Sequence, residues 1–458
     1  MTNSEQTRST GPVYTLLKIF TDIKPGEPLI AVLLMLNVFL LLAAYYILKP
    51  FRDSLMLEEW PAEIKSYLSA AIAVLLIFVV KIFSRIASRV SRQKLITRVT
   101  LFFISNIVIF YVLHLIGVGA GLMGIVFFIW MGIFNLIVIA QFWGFANDLY
   151  SEDQGKRLFP LIAFGATFGG FAGGKITNLL MVPLGRYSLL LVAACLLAIC
   201  IFMTWIIHRK DLRQSESTAD TAAGVLAKSV EKEKPLEKGG AFTLVFKKKY
   251  LLYIAFFVLL LNFINTNGVY MLDTVAINTA ESAIAAGTAG GLDMGGFLNQ
   301  FFAGFYNVMN LFAMAVQLFV VSRIFKWFGV RVAIFFLPIL AFGGYFLISM
   351  GATLFLVKWT KALENGLDYS LMNTARSALY LITSRQEKYK AQAVTKTFFH
   401  RSGDVLSAAL VFLGSTYFAF KVENFAWVNV LLVLIWLILG FLIFKEHKSL
   451  SAEKRTTG

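Results

Sequence analysis

Charge is scarce in this sequence: 15% of its 458 residues are Asp, Glu, Lys or Arg, against about a quarter in a soluble domain. Cysteine is nearly absent. Cys195 and Cys200 lie five apart in one apolar stretch, which suits neither a disulfide framework nor a metal site. The four histidines, His114, His208, His400 and His447, form no cluster in the sequence, so neither a metal centre nor a proton-relay pair is expected. No Ser–His–Asp or Cys–His constellation stands out, which leaves no catalytic residue to name, no enzyme activity and no cofactor to expect. The N-terminal MTNSEQTRSTGP lacks the apolar core of a signal peptide, and Glu5 and Asp22 interrupt it against a transit peptide. No soluble ATP-hydrolysing domain is evident, so pumping by ATP hydrolysis within the chain is not expected.

What is abundant is apolar. Hydrophobic residues make up 58% of the chain, Phe alone supplies 44, and the mean hydropathy is +0.73. The apolar residues arrive in stretches of about 20, the length that crosses ~30 Å of hydrocarbon. Twelve such spans are predicted near 29–48, 62–82, 95–116, 121–148, 158–180, 187–207, 250–274, 297–321, 332–350, 352–380, 393–420 and 425–444. The net charge of +16 is not read as a nucleic-acid surface, because the bases sit in short loops between spans. Alternate connections hold about 30 of the 42 Lys and Arg, and the opposite ones hold Lys49, Arg52, Lys65, Arg186 and Lys421. That bias places both termini and the one long polar linker in the cytoplasm.

The expected organisation follows. Residues 1–28 form a cytoplasmic segment, 29–207 a six-helix half, 208–249 a Ser-, Lys- and Glu-rich linker, 250–444 a second six-helix half, and 445–458 a cytoplasmic tail. The fold class is an all-α polytopic membrane protein of about twelve transmembrane helices. Two six-helix halves joined by a polar linker is the plan of the major-facilitator fold. The expected location is a bacterial cytoplasmic membrane, with lipid as the surround and no obligate protein partner evident.

One span breaks the apolar rule. Between Lys358 and Lys396 the chain is strongly polar, and on a helical wheel Lys358, Lys361, Glu364, Asn365, Asp368, Asn373 and Arg376 share about 180° of arc. A face with that many charges cannot meet lipid, where each costs ~2.5 kcal/mol or more. It must line a watery cavity or pair with other helices. Span eleven adds Lys396, His400, Arg401 and Asp404, the last two at ion-pair spacing. In GGFAGGKI, Gly169, Gly174 and Lys175 approach a phosphate loop, but Ile176 stands where Ser or Thr would bind magnesium. The glycines at 165, 169, 170, 173 and 174 read instead as close helix packing, with Lys175 a candidate to face the cavity. Pro50 is expected to kink or end span one, leaving Lys49, Arg52 and Asp53 either in a solvated loop or on a broken helix that meets substrate. Asp148 with Lys156 and Arg157 is either a cytoplasmic gate or a simple loop.

Three stretches together resemble the ATP:ADP exchange transporters of plastids and intracellular bacteria and their bacterial relatives: YYILKPFRDSLM (45–56), QFWGFANDLYSEDQGKRLFPLIAFGATFGG (141–170), and KALENGLDYSLMNTARSALYLITSRQEKYKAQAV with FFHRSGD after it (361–404). The resemblance implies a twelve-helix major-facilitator-like fold and a nucleotide or related phosphorylated substrate. It places substrate-contacting basic residues at Arg52 and Arg376, each an Arg where the exchangers usually carry Lys. Arg keeps the charge and adds a fork for phosphate. The exchangers also carry glutamates in spans four and seven. Residues 132–144 hold no acid, and 262–273 offers only Asp273.

The expected function is a secondary transporter of a nucleotide or other anionic metabolite, working by alternating-access exchange. Its small-molecule substrate is expected at Arg52 and Arg376, with Lys361, Lys396 and Lys175 behind them. Asp53, Asp148, Lys156, Arg157, Glu364, Asp368, Arg401 and Asp404 are the expected gate or charge-pairing groups. A proton-coupled carrier of another solute and a non-transporting sensor or scaffold remain alternatives.

Overall fold

The computed structural model describes residues 27–87, 90, 92–150, 152–219 and 240–457. Most of the N-terminal segment, the centre of the linker (220–239) and the side chain of Lys156, an expected gate partner, lie outside the described residues. Among those described there is no strand. The first half comprises α1 (Pro28–Glu59), α2 (Ala62–Ala87), α3 (Arg92–Leu115), α4 (Ala120–Leu149), α5 (Glu152–Leu184) and α6 (Ser188–Ala219). A short α7 (Ala241–Lys247) precedes α8 (Lys249–Ala285) and α9 (Met294–Ala315), which runs through a π-helical turn into α10 (Val321–Trp327). Then follow α11 (Gly329–Ala333), α12 (Phe336–Met350), α13 (Leu354–Leu367), α14 (Asn373–Leu379), α15 (Arg385–Val394), α16 (His400–Thr416) and α17 (Val422–Thr457).

Each of the twelve expected spans falls on helix. Nine helical stretches among the described residues are long and apolar enough to cross a bilayer, the shortest having 22 residues. The other three depart for physical reasons. Helix α5 is diluted by glycine and carries Lys175. Spans ten and eleven are polar, and π-helical turns at Asp368–Met372 and Thr395–Phe399 interrupt them. Ser370 and Thr397 donate back to the carbonyls of Gly366 (2.6 Å) and Ala393 (2.7 Å) beside these turns, a bond that bends helices.

Pro50 does not end span one. Helix α1 continues from Pro28 to Glu59 with Pro50 inside it, so Lys49, Arg52 and Asp53 lie on a helix rather than in a loop. Lys65, counted from sequence as a loop residue, is likewise inside α2 and 4% exposed. A proline is tolerated in a membrane helix because neighbouring groups satisfy the freed carbonyl.

The helices group into two compact units. The first comprises Met1–Asp53, Phe78–Glu233 and Phe302–Asn307; the second comprises Ser54–Ile77, Lys234–Phe301 and Val308–Gly458. Within the first unit, α5 lies on α1 through its glycines at every fourth position. A Cβ added at Gly165 would stand 2.5 Å from the Met35 carbonyl oxygen, and at Gly169 and Gly173 it would fall closer still to those of Phe39 and Ala43. The phosphate-loop look-alike is therefore a helix-packing seam. Gly169→Val is expected to destabilise the protein by about 3 kcal/mol or more, since the obstacle is backbone and cannot rotate away. Gly343, with nothing within 4 Å of its added Cβ, should accept Ala without loss. Thermal unfolding of both variants checks the contrast.

Aromatic packing fills the rest of this unit. Phe103, Phe110, Phe127, Trp130 and Phe134 from α3 and α4 pair at centroid distances of 4.9 to 5.7 Å, mostly edge to face, the arrangement the ring quadrupole favours. Asn37 of α1 donates to the Cys200 carbonyl (3.0 Å) and the Thr204 hydroxyl (3.1 Å) of α6. In the second unit α15 opens with a capping box, Ser384 and Glu387 each bonding the other's backbone amide. Lys248, just after α7, forms an ion pair with that same Glu387. Burial raises the Glu387 carboxyl, and Lys248 with the Ser384 amide outweighs it, so its pKa lies below the ordinary value.

Candidate functional site

The residues between Asp368 and Asp404 converge on one cavity of the second unit. It has a volume of about 330 Å³ and is lined by Val258 of α8, Asn373, Arg376 and Ser377 of α14, Tyr380, Gln392 of α15, Thr395, Lys396, His400 and Arg401. The two π-helical turns bracket this set. A π turn inserts one extra residue and so re-aims the side chains beyond it, and such turns gather at functional sites. Lys396 sits inside one of them, and Arg376 follows the other by one helical turn.

The cavity is basic. Arg376, Lys396 and Arg401 bring three positive charges to its wall, and hydroxyls of Ser377, Tyr380 and Thr395 stand among them. Tyr380 donates to Thr395 at 3.2 Å, linking the end of span ten to the start of span eleven. Two carboxylates lie behind the guanidiniums. Arg376 Nη2 is 3.0 Å from Asp368 Oδ1, and Arg401 Nη1 is 3.3 Å from Asp404 Oδ2. Guanidinium forks and an ammonium in a partly dehydrated pocket are the donor set that holds phosphate or carboxylate oxygens. The volume is that of a small-molecule site.

Lys361 is placed differently. Its side chain is fully buried, and Nζ donates to Glu364 Oε2 (2.7 Å) and the Asn265 carbonyl (3.0 Å), with the Tyr345 hydroxyl at 3.5 Å. Tyr345 also donates to the same Glu364 oxygen at 2.6 Å. This is a closed network, not a cavity wall. Lys358, by contrast, rests its ammonium over the Phe301 ring at 5.5 Å.

The first unit holds a second charged cluster. Arg52 donates to Asp53 Oδ1 through Nη2 (2.6 Å) and Nε (3.0 Å), and Tyr306 donates to Asp53 Oδ2 at 2.6 Å. The Asp53 side chain is fully buried. Lys49 Nζ lies 4.1 Å from the Tyr306 ring centroid and 5.2 Å from that of Tyr46, a cation–π setting. Arg52 stacks 5.0 Å from the Phe128 ring. Lys175 is exposed on α5 with Nζ 6.0 Å from the Phe171 ring. Asp148 is exposed, and Arg157 pairs with Glu27 at 2.9 Å.

The TLC ATP/ADP transporter family matches residues 122–275. The match bears out, over α4 to α8, the resemblance drawn from the sequence. No curated protein matches the chain. Among solved structures it is similar to the nucleoside transporter NupG (13% identity, 91% of this chain and 98% of that one, TM-score 0.60). A bacterial homologue of the human lysosomal transporter Spinster shares 13% identity over 94% of this chain and 99% of its own, with a TM-score of 0.57. A POT family transporter in complex with 5-aminolevulinic acid gives 13%, 91%, 96% and 0.59. At such identities the likeness shows the fold, which is that of the major-facilitator transporters. The apolar helices and the fold are those of an integral membrane protein, and the family match over residues 122–275 supports a secondary carrier.

Several site residues escaped the sequence reading. Tyr306 and Tyr345 sit in ordinary apolar stretches and give no signal there. The Lys65–Asp273 pair (2.8 Å) and the Glu63–Tyr270 bond (2.8 Å) join α2 to α8 in the second unit. Asp273 was visible as an acid within a span; its partner was hidden because Lys65 looked like a loop residue.

Proposed function

We propose that this transporter moves a nucleotide, or another phosphorylated anion, by alternating-access exchange across a bacterial cytoplasmic membrane, with both termini cytoplasmic. The observation that carries the reading is the cavity of the second unit, whose lining holds Arg376, Lys396 and Arg401 together with the hydroxyls of Ser377, Tyr380 and Thr395. A cationic substrate would meet repulsion there, and an apolar one would offer no counter-charge to a lining whose described residues hold three cations and no carboxylate. Arg376 is the principal phosphate contact, with Lys396 and Arg401 beside it. The TLC ATP/ADP transporter match supports the nucleotide as first choice, and the resemblance in the first-span motif names Arg52 as a further basic substrate contact.

The test is counterflow in liposomes. Purified protein in liposomes preloaded with ADP should take up labelled ATP saturably, with unlabelled nucleotides competing and organic cations inert. Saturable transport of organic cations alone, or of a neutral solute driven by a proton gradient with nucleotides inert, would overturn the assignment.

A further inference from the structure

Neither carboxylate behind the cavity lines it, and one of them is fixed. Asp404 Oδ1 accepts from Asn262 Nδ2 (2.8 Å) and Thr266 Oγ1 (2.9 Å), both on α8, while Oδ2 faces Arg401. Asn262 donates further to the His400 carbonyl at 2.7 Å. The neighbouring Gly403 is pressed on α8 so closely that an added Cβ would stand 2.7 Å from the Phe263 amide nitrogen. Asp404 is thus tied to a neighbouring helix and cannot follow Arg401 outward. Asp368, 7% exposed, holds Arg376 from within the π turn. Lys396 is exposed and has no carboxylate within ion-pair distance among the described residues.

Three cations against two carboxylates give the cavity one net positive charge. An anion of two or more charges therefore competes with both carboxylates for the guanidiniums, and Asp404 stays in place as it does so. We propose that Asp368 and Asp404 are resident counter-anions that compete with the substrate for Arg376 and Arg401, and so set both the affinity and the charge preference of the site. This rests on the anion-binding reading above. The physical gain lies in release: a carrier must bind strongly enough to load and weakly enough to unload. When the substrate leaves, each guanidinium returns to a partner already waiting for it.

The proposal predicts an increase in affinity on removing acids. In detergent-solubilised full-length protein, Asp368→Asn and Asp404→Asn should each tighten ATP binding about fivefold, the scale of a partly exposed ion pair, and AMP binding less. Asn keeps an oxygen to accept from Asn262 and Thr266, so the tie to α8 survives. Each variant should start at a lower melting temperature than wild type and gain a larger shift from saturating ATP. Its maximal counterflow rate should fall, because release slows. Should Asp404→Asn fail to fold, Asp368→Asn carries the test alone. ATP affinity that is unchanged or weaker in the variants, with wild type binding ATP, overturns the competition while leaving the anion site standing. Wild-type protein that binds none of ATP, ADP, AMP, sugar phosphates or inorganic phosphate overturns the functional reading and this one with it.

Discussion

Arg376→Ala is expected to raise the Kd for ATP on the order of 100-fold, about 2.7 kcal/mol at 25 °C, while leaving the protein folded. Truncating one member of a hydrogen-bonded charge pair between protein and ligand typically costs 2–5 kcal/mol, and Arg376 is the more deeply set of the cavity's two guanidiniums. Its side chain is 18% exposed, against 40% for Arg401. The effect on stability should be small by comparison, because Asp368 lies next to the cavity and can take water when Arg376 is gone. Arg376→Lys should recover part of the affinity: charge persists, and the two-pronged geometry is lost. The opposite result has a clear form. If Arg376 serves only to hold Asp368, the Ala variant melts at a lower temperature and binds ATP normally per folded molecule. Melting temperature and Kd measured on one preparation separate these outcomes.

Lys396→Ala should weaken binding less, since its ammonium is exposed on the π turn and remains better solvated when empty. Comparing the two variants across AMP, ADP and ATP gives a further reading of geometry. A residue that meets the terminal phosphates loses discrimination between these ligands, and one that meets the α-phosphate weakens all three alike.

The sequence made the helical architecture readable because bilayer thickness imposes a length on every span. The polar run from Lys358 to Lys396 marked the right region for the cavity, since charges within a span must be sheltered. What it could not divide was that region itself. An ideal wheel sets Lys361 and Arg376 about 60° apart, on one apparent face. The π turn at Asp368–Met372 lies between them and breaks that register, and no propensity marks such a turn. Lys361 consequently enters a closed network while Arg376 reaches the cavity. Pro50 left open whether span one kinks or ends there, and α1 continues through it to Glu59. Partners from distant segments, such as Tyr306 for Asp53, have no local signature, because pairing across more than 250 positions is decided by packing alone.

Lys361→Met is expected to be the most destabilising of the charge substitutions, by about 3–5 kcal/mol, the cost of leaving a buried partner uncompensated. The side chain is 0% exposed and its partner Glu364 is 2% exposed, so neither ion has water to turn to. Removing the ammonium strands the Glu364 carboxylate, which then keeps only the Tyr345 hydroxyl at 2.6 Å. Glu364→Leu should be costly for the mirror reason, leaving the ammonium with the Asn265 carbonyl and little else. Combining Lys361→Met with Glu364→Leu should cost less than the sum of the two and no more than the worse single change. A buried ion pair replaced whole by apolar groups of similar volume is often neutral. The double-mutant cycle therefore has a predicted sign, a favourable coupling of several kcal/mol between residues three apart on α13. ATP affinity supplies the independent check. If Lys361 touches substrate, Lys361→Met abolishes binding in protein whose melting temperature has barely moved. If it holds α13 to α8 and α12 through Asn265 and Tyr345, the folded fraction falls and the molecules that remain folded bind ATP as wild type does.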